Sequence, residues 1–333
     1  THSHIDHFGG ALGIASPEQV AEQGIAVIAP EGFIEAATRE NVIAGIAMSR
    51  RAGFMYGNDL PRHERGHIGS GLGSQPAIGQ AGILQPTDII TTTGEERVID
   101  GVRMVFQNVP GSEAPAEFTF YLPDHKAFMG AELVSRNMHN IYSLRGAHVR
   151  DALRWSKYID EAAKMFGDAE VYFASHHWPI WGQDEVHDFL GKQRDTYKYL
   201  HDQTVRLLNN GYTGPEIAER LSMPPALDQA FASRGYYGTV RHNAKAVYQM
   251  YMGWYDGNPA NLNPLPPVEA SRRYVDAMGG ASKVMELAES AYDEGDYRWA
   301  AELLNRLVFT DPGFGAAREL LAANYDQMGY QAE

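Results

Sequence analysis

The sequence predicts an α/β domain followed by an α-helical region, on three observations. From about Thr1 to Gly182, short β-rich runs end in polar loops. Within that part, Val149, Leu153, Ile159, Ala163 and Phe166 recur at helical spacing, so a helix is interleaved with the strands. From Gln183 onward the apolar spacing becomes helical throughout.

The strand-like runs are Asp88–Thr93, Val98–Val109, Phe118–Leu122, Lys126–Met129 and Glu170–Ser175. Val102, Met104 and Phe106 alternate with more polar neighbours, the period of a half-buried strand. The interleaved helix is expected around Ala147–Phe166, stopped by Gly167. The segment Arg62–Gly82 is glycine-rich and aperiodic, which predicts a long surface loop. It reads equally as a flap over a site or as a plain connector.

Val186, Phe189, Leu190, Tyr197, Leu200 and Leu207 predict one long helix closed by Asn210-Gly211. Thr213–Leu221 starts like a capped helix with Pro215 in its first turn. The Pro/Asn-rich stretch Asn258–Pro267 is a joint. Beyond it, Ala281–Asp293, Tyr297–Thr310 and Gly315–Met328 predict three helices with tight turns at Gly295 and Pro312. The run Ala288–Ala300 resembles a tetratricopeptide hairpin. So few repeats cannot build a solenoid, so a packing or dimerisation arm is favoured over a peptide-binding array. The expected division is 1–260, catalytic, with 183–260 mostly helical, and 261–333, a helical dimerisation arm.

Composition narrows the function. The 333 residues are 44% hydrophobic and 21% charged, an ordinary globular balance. No apolar run reaches the roughly 18–20 residues that span a bilayer. The formal charge of −14 repels polyanions, which argues against a nucleic-acid partner but not against a small anion held by local cations. With no cysteine, disulfides, thiolate catalysis and thiolate-bound zinc are excluded. The sequence opens at Thr1 directly into a chemical motif, so the chain is expected to be clipped at its N-terminus, with any targeting segment missing.

That motif is His2-Ser3-His4-Ile5-Asp6-His7, four potential metal ligands within six residues. In an extended segment the period of two puts His2 and His4 on one side. Asp6 and His7 can then meet a second ion as the chain turns into a helix. Neutral imidazoles mixed with a carboxylate suit zinc before iron or manganese. A purification tag repeats histidine and has neither the aspartate nor the FGG that follows here.

HSHIDH matches the HxHxDH signature of the metallo-β-lactamase superfamily, in which later strand ends supply further ligands and a carboxylate often bridges the ions. Three downstream places qualify: VPGSEAPAE with Glu113 and Glu117, FMGAELVSRNMHN with Glu132, and YFASHHWPIWG with His176 and His177. Strand geometry lets one of His176 and His177 face a site, and spacing does not choose between them.

The segments PGSEAPAEFTFYLP, GAEL…MHNIYSLRGAHVRDALRW, HHWPIWG and GYYGTVRHNAKAVYQMYMGWYDGNPA resemble, in that order, the zinc-dependent alkylsulfatases. The resemblance runs from Thr1 to Glu333. It implies a metallo-β-lactamase-like αββα sandwich, here without its first strands, followed by a helical dimerisation-type region. It implies two zinc ions per chain, an alkyl sulfate substrate such as dodecyl sulfate, and a homodimer. Carried over residue by residue, it gives His2, His4 and Glu113 to one ion, Asp6, His7 and His177 to the other, and Glu132 as the bridge. Two zinc ions are balanced by Asp6, Glu113, Glu132 and a hydroxide, so a buried cluster would be nearly neutral. Glu117 is a supporting candidate.

Arg145 is the candidate for gripping sulfate oxygens, because its guanidinium fork matches a tetrahedral oxyanion. A surface arginine near a helix start would be mildly unfavourable, which favours the functional reading. His139 and Asn140 precede it, and Arg241, His242 and Asn243 follow later. A histidine among them could supply the leaving-group proton. Each reads equally as a structural hydrogen-bonder. Tyr56, Trp178 and Trp181 are candidates for an alkyl channel, or for the core. Two other functions stay open: a different hydrolase on this fold, acting on a phosphodiester, lactone or thioester, and a non-catalytic helical scaffold. The PGSEAPAE and HNIYSLRGA segments count against the first, and the full ligand set against the second.

Overall fold

A computed structural model describes residues 1–64, 66–73 and 79–330. The chain divides into two compact units, Thr1–Trp254 and Tyr255–Glu333.

The first unit is built on two sheets. The larger has six strands in sequential order: β3 (Glu96–Ile99), β4 (Val102–Asn108), β5 (Phe118–Leu122), β6 (Ala127–Met129), β7 (Val171–Phe173) and β8 (Ile180–Trp181). All neighbours are antiparallel except β6 and β7, which run parallel through a helical crossover. The smaller sheet pairs β1 (Ile28–Pro30) with β2 (Asp88–Ile90) in parallel.

The run expected as one strand over Val98–Val109 is a hairpin. Asp100 and Gly101 both take positive φ, 49° and 80°, the mirror-image turn that matches strand twist. The small sheet packs on one face of the large one through Ile28, Ile90, Phe106, Phe118 and Phe120. The opposite face carries the main core. There Phe128, Leu133, Trp155, Ile159, Tyr172, Leu190 and Tyr197 pack the Ala152–Met165 and Gln183–Asn209 helices against it. Trp155 stacks on Tyr197 at 4.6 Å. Beyond the small sheet, Val20 of the Pro17–Gln23 helix packs with Leu84 and Val27. Helix, sheet, sheet and helix therefore lie in layers, each apolar face covered by the next.

The crossover helix starts at Ala152, later than its apolar spacing suggests. Asp151 caps it, accepting from the Arg154 N–H, and the preceding Arg150 is buried and held by partners outside the helix. A twelve-residue helix, Gly45–Tyr56, follows a short helix at Phe33–Thr38 and a π-helical turn at Arg39–Ile43. Part of the expected loop, residues 65 and 74–78, lies outside the described residues. Its Gly71 carbonyl accepts from Asn137 Nδ2 at 2.8 Å.

Among the described residues the second unit has four α-helices, Pro267–Ala277, Ala281–Asp293, Tyr297–Thr310 and Gly315–Tyr330. The middle pair forms the expected hairpin, turning at Gly295 with φ 80°. Asp296 caps its second helix. Ala288 and Ala300 let the two helices approach, and Val284, Leu303, Leu304 and Leu307 fill the core. Among the described residues no helix is long and apolar enough to cross a membrane.

Candidate metal centre

Backbone pairing brings the chemical segments to one edge of the large sheet. Ser3 N–H donates to Ala116 O, Phe118 N–H donates to Thr1 O, and His2 bridges Glu117, so the first residues lie beside the start of β5. At His4 the chain turns into the one-turn helix Ile5–Phe8, which re-aims Asp6 and His7. Glu113 sits in the β4–β5 loop at the same edge. Because β6 and β7 are parallel, their C-terminal ends share it too, placing Glu132 and the His176-His177 pair there. Gly130 N–H donates to Phe173 O, and Ser175 N–H to Ala131 O, tying the two exits together. A Cβ on Gly130 would meet the Tyr172 ring at 2.5 Å, so that exit requires glycine.

Two ligand groups result. In the first, His2, His4, Glu113 and Glu132 are all buried; in the second, Asp6, His7, Glu132 and His176 converge. Within each, one donor atom per residue lies within 4.8 Å of the others. Glu132 belongs to both. Its Oε2 lies 3.2 Å from His2 Nε2, 3.0 Å from His7 Nε2 and 3.6 Å from His176 Nε2. Glu113 Oε2 lies 3.3 Å from His2 Nε2 and 2.8 Å from His4 Nδ1.

The electrostatics fit a cation site. Burial pushes the His2 imidazole down to about 3, so it is a neutral ligand. Burial also opposes charge on His4, but Glu113 and Glu40 outweigh it and raise that ring to about 10. Against the same burial, Asp6 and Glu132 lift His7 to about 9 and His176 to about 10. Burial alone would raise Asp6 and Glu113; their basic neighbours hold both well below the carboxylate range. His2 Nε2 and Glu113 Oε2 are buried without a hydrogen-bond partner, an arrangement that metal ligation satisfies. Imidazoles and carboxylates at this spacing fit divalent-metal ligation.

Next to the first group is a cavity of about 280 Å³ reached by His4, Arg39, Glu40, Glu113, His148 and Arg150. Its lining concentrates cations in a chain whose formal charge is −14.

The sequence and fold have close relatives. A family model described as "Alkyl sulfatase dimerisation" matches residues 213–333. The chain is 50% identical, over its full length, to a linear primary-alkylsulfatase of a Pseudomonas species, covering 50% of that protein. It is equally similar to an alkyl/aryl-sulfatase of Saccharomyces cerevisiae, covering 52% of it. A solved stereoselective inverting sec-alkylsulfatase from Pseudomonas superposes with a TM-score of 0.97 at 45% identity, over 100% of this chain and 53% of that one. Over its whole length the chain is similar to alkylsulfatases. It spans about half the length of the curated relatives it matches.

Six of the seven expected ligand positions come together in the site. His2, His4, Asp6, His7, Glu113 and Glu132 come together; His177 does not join them. His176 occupies the place expected for it, with Nε2 3.3 Å from His7 Nε2 and 3.5 Å from Asp6 Oδ2. The reason is backbone shape. His177 takes φ 70°, which breaks the strand alternation and turns its ring toward Trp178.

Arg145 lies at the rim of the first group. Its Nη2 is 3.3 Å from Glu40 Oε2, and its Nη1 donates to Gly146 O. Burial opposes its charge, but Glu40 outweighs burial and holds the guanidinium above its ordinary value. Asn140 is buried, its Oδ1 taken by Arg150 and its Nδ2 without a partner. His139 is buried with both ring nitrogens on acceptors: Nε2 at 3.0 Å from Glu132 Oε1 and Nδ1 at 2.9 Å from Asn140 O. It therefore holds Glu132 instead of facing the cavity. His242 lies in the first turn of the Val240–Met252 helix and in neither ligand group. Its neighbour Asn243 instead clamps the His139–Ile141 backbone, accepting from Ile141 N–H and donating to His139 O. Tyr56 Oη meets Tyr237 Oη at 3.1 Å, Trp178 carries Arg136 over its ring, and Trp181 is exposed on β8.

Glu117 supports both groups. Its Oε2 accepts from Ser112 Oγ and from the Glu113 and Ala114 N–H groups, while Oε1 accepts from Glu132 N–H at 3.1 Å. Burial, then Glu113, pushes its carboxyl up to about 7, opposed by these donors. Three further residues were given no role from the sequence: Arg150, which pairs with Glu113 and Asn140; Glu40, which meets His4; and His148 on the cavity wall.

Proposed function

We propose that this chain hydrolyses alkyl sulfate esters such as dodecyl sulfate to an alcohol and inorganic sulfate, with two zinc ions held by the two ligand groups. The observation that carries this reading is the single oxygen, Glu132 Oε2, lying between His2 and His7 beside an arginine-lined cavity. His2, His4 and Glu113 would hold one ion, Asp6, His7 and His176 the other, and Glu132 both. When bound, a zinc pair supplies a hydroxide nucleophile at neutral pH by lowering the pKa of water to about 7.

The residues of the chain do the rest. A sulfate monoester carries a permanent negative charge and leaves an alkoxide, so it needs donors on its oxygens and a proton on its leaving oxygen. In this reading Arg145, near Glu40, and the unpartnered Asn140 Nδ2 would bind the sulfate oxygens. His139 would fix the bridging carboxylate. His148, on the cavity wall, would give the leaving oxygen its proton. The family model over 213–333 supports a homodimer made through the helical region, with 261–333 as the arm and 1–260 as the catalytic part.

The test is sulfate release from dodecyl sulfate by the chain loaded with zinc, repeated after chelation and after zinc is restored. Release that follows the metal supports the reading. A zinc-loaded chain that leaves dodecyl sulfate intact but cleaves a phosphodiester or lactone would replace it.

A further inference from the structure

Glu40 is the one buried residue of the π-helical turn Arg39–Ile43. Such a turn inserts an extra residue into the helical period and redirects a side chain, and it recurs at functional sites. Here Val42 and Ile43 stay exposed while Glu40 is sent inward, 4% exposed. Its Oε2 lies 3.3 Å from His4 Nε2 and 3.3 Å from Arg145 Nη2.

The two nitrogens of His4 face different partners. Nδ1 is directed into the ligand group, 2.8 Å from Glu113 Oε2, and Nε2 is directed out of it toward Glu40. A carboxylate on the outer nitrogen cannot share an ion with the inner one. It can accept the outer N–H, which fixes the tautomer, sets the ring plane and makes the inner nitrogen a better donor. His4 Nε2 is buried with no aligned hydrogen bond, and Glu40 Oε2, 3.3 Å away, is the acceptor beside it.

We infer that Glu40 is a positioning residue with two tasks: it orients His4 toward the first ion and holds the Arg145 guanidinium at the rim of the same site. This rests on the zinc-hydrolase reading above and deepens it, because it ties metal affinity and sulfate binding to one carboxylate. Gln at this position keeps an acceptor for His4 and loses the charge that holds Arg145. Ala loses both. The two tasks therefore separate between the two variants.

The experiment compares the parent chain with Glu40→Gln and Glu40→Ala, each tested for zinc affinity by chelator competition and for kcat and KM on dodecyl sulfate. In Glu40→Ala the affinity for one of two zinc ions is expected to fall roughly 10–100-fold, the usual loss when a ligand's outer partner is removed. In Glu40→Gln the zinc affinity is expected to return close to that of the parent while KM stays raised. A merely structural glutamate would not give that split. Equal zinc affinity in all three proteins, or equal KM in parent and Glu40→Gln, overturns the inference. If Glu40→Ala fails to fold, the isosteric Gln variant alone decides through KM. A parent that binds no zinc would instead overturn the underlying reading, and the parent arm shows this by itself.

Discussion

His139 Nε2 lies 3.0 Å from Glu132 Oε1, while the other oxygen of that carboxylate meets His2 and His7. The oxygen proposed to bridge the ions is thus aimed by a histidine on the far side of the carboxylate. His139 is itself held, by Tyr197 Oη on its N–H, by Asn140 O on Nδ1 and by Asn243 Nδ2 on its carbonyl. His139→Ala is expected to weaken zinc binding roughly 10–100-fold without removing a ligand. Glu132→Ala is expected to empty both positions. Zinc content after dialysis against graded chelator distinguishes them, and a His139→Ala chain that retains zinc like the parent would make the contact incidental.

The adjacent histidines give a sharper test of the second group. His176→Ala is expected to lower zinc stoichiometry from two toward one, because it removes a ring that lies 3.5 Å from Asp6 and 3.6 Å from Glu132. His177→Ala is expected to keep two, since its ring packs at Trp178. The reverse pattern would return the ligand role to His177.

This ambiguity shows where sequence reading stops. Strand alternation predicts one outward and one inward histidine after β7, but His177 at φ 70° leaves the alternation, so counting along the strand gives no answer. The candidate ligands in HSHIDH, PGSEAPAE and GAEL were legible as candidates, from a dense run of ligand types and from acids that follow strand-like runs, and the resemblance chose among them. The Asp100-Gly101 hairpin was legible in principle, since Asp-Gly between apolar runs signals this turn. Arg150, Glu40 and His148 were not, because their roles depend on partners far away in the chain. Gly238 is similar: a Cβ there would lie 2.4 Å from His139 O, a closeness that only the folded chain reveals.

Protons and metal compete for the same rings, so zinc affinity is expected to depend on pH. His4, His7 and His176 are lifted to about 10, 9 and 10 by surrounding carboxylates, so without an ion they carry protons at neutral pH. Binding must displace those protons, and affinity should rise with pH, about tenfold per pH unit for each proton released. Below those values the slope is positive, and it flattens as pH rises through them. Chelator competition between pH 6 and 8, paired with proton release in weakly buffered solution, measures it. A flat profile would mean that the ligands are already neutral and that the carboxylates around them act differently.

Arg145 separates a sulfatase from a general metallohydrolase. The ions can activate water for many substrates, but a fixed anionic head needs a cation of its own, which matters more in a chain of net charge −14. Arg145 is anchored on both arms, Nη1 to Gly146 O and Nη2 near Glu40, which holds the guanidinium plane at the edge of the first group. Arg145→Lys keeps the charge and loses the fork. It is expected to raise KM for alkyl sulfates, at a cost of about 2–3 kcal/mol in kcat/KM, the range for a lost charged hydrogen bond. Zinc content should not change, because no ligand is touched. Steady-state kinetics on dodecyl sulfate, with zinc measured in the same preparation, decide it. If Arg145→Lys turns over dodecyl sulfate like the parent, Arg145 serves the packing around Glu40. The sulfate would then be bound by the arginines that line the neighbouring cavity, Arg39 first among them because its side chain lies beside Glu40 in sequence and on the same wall.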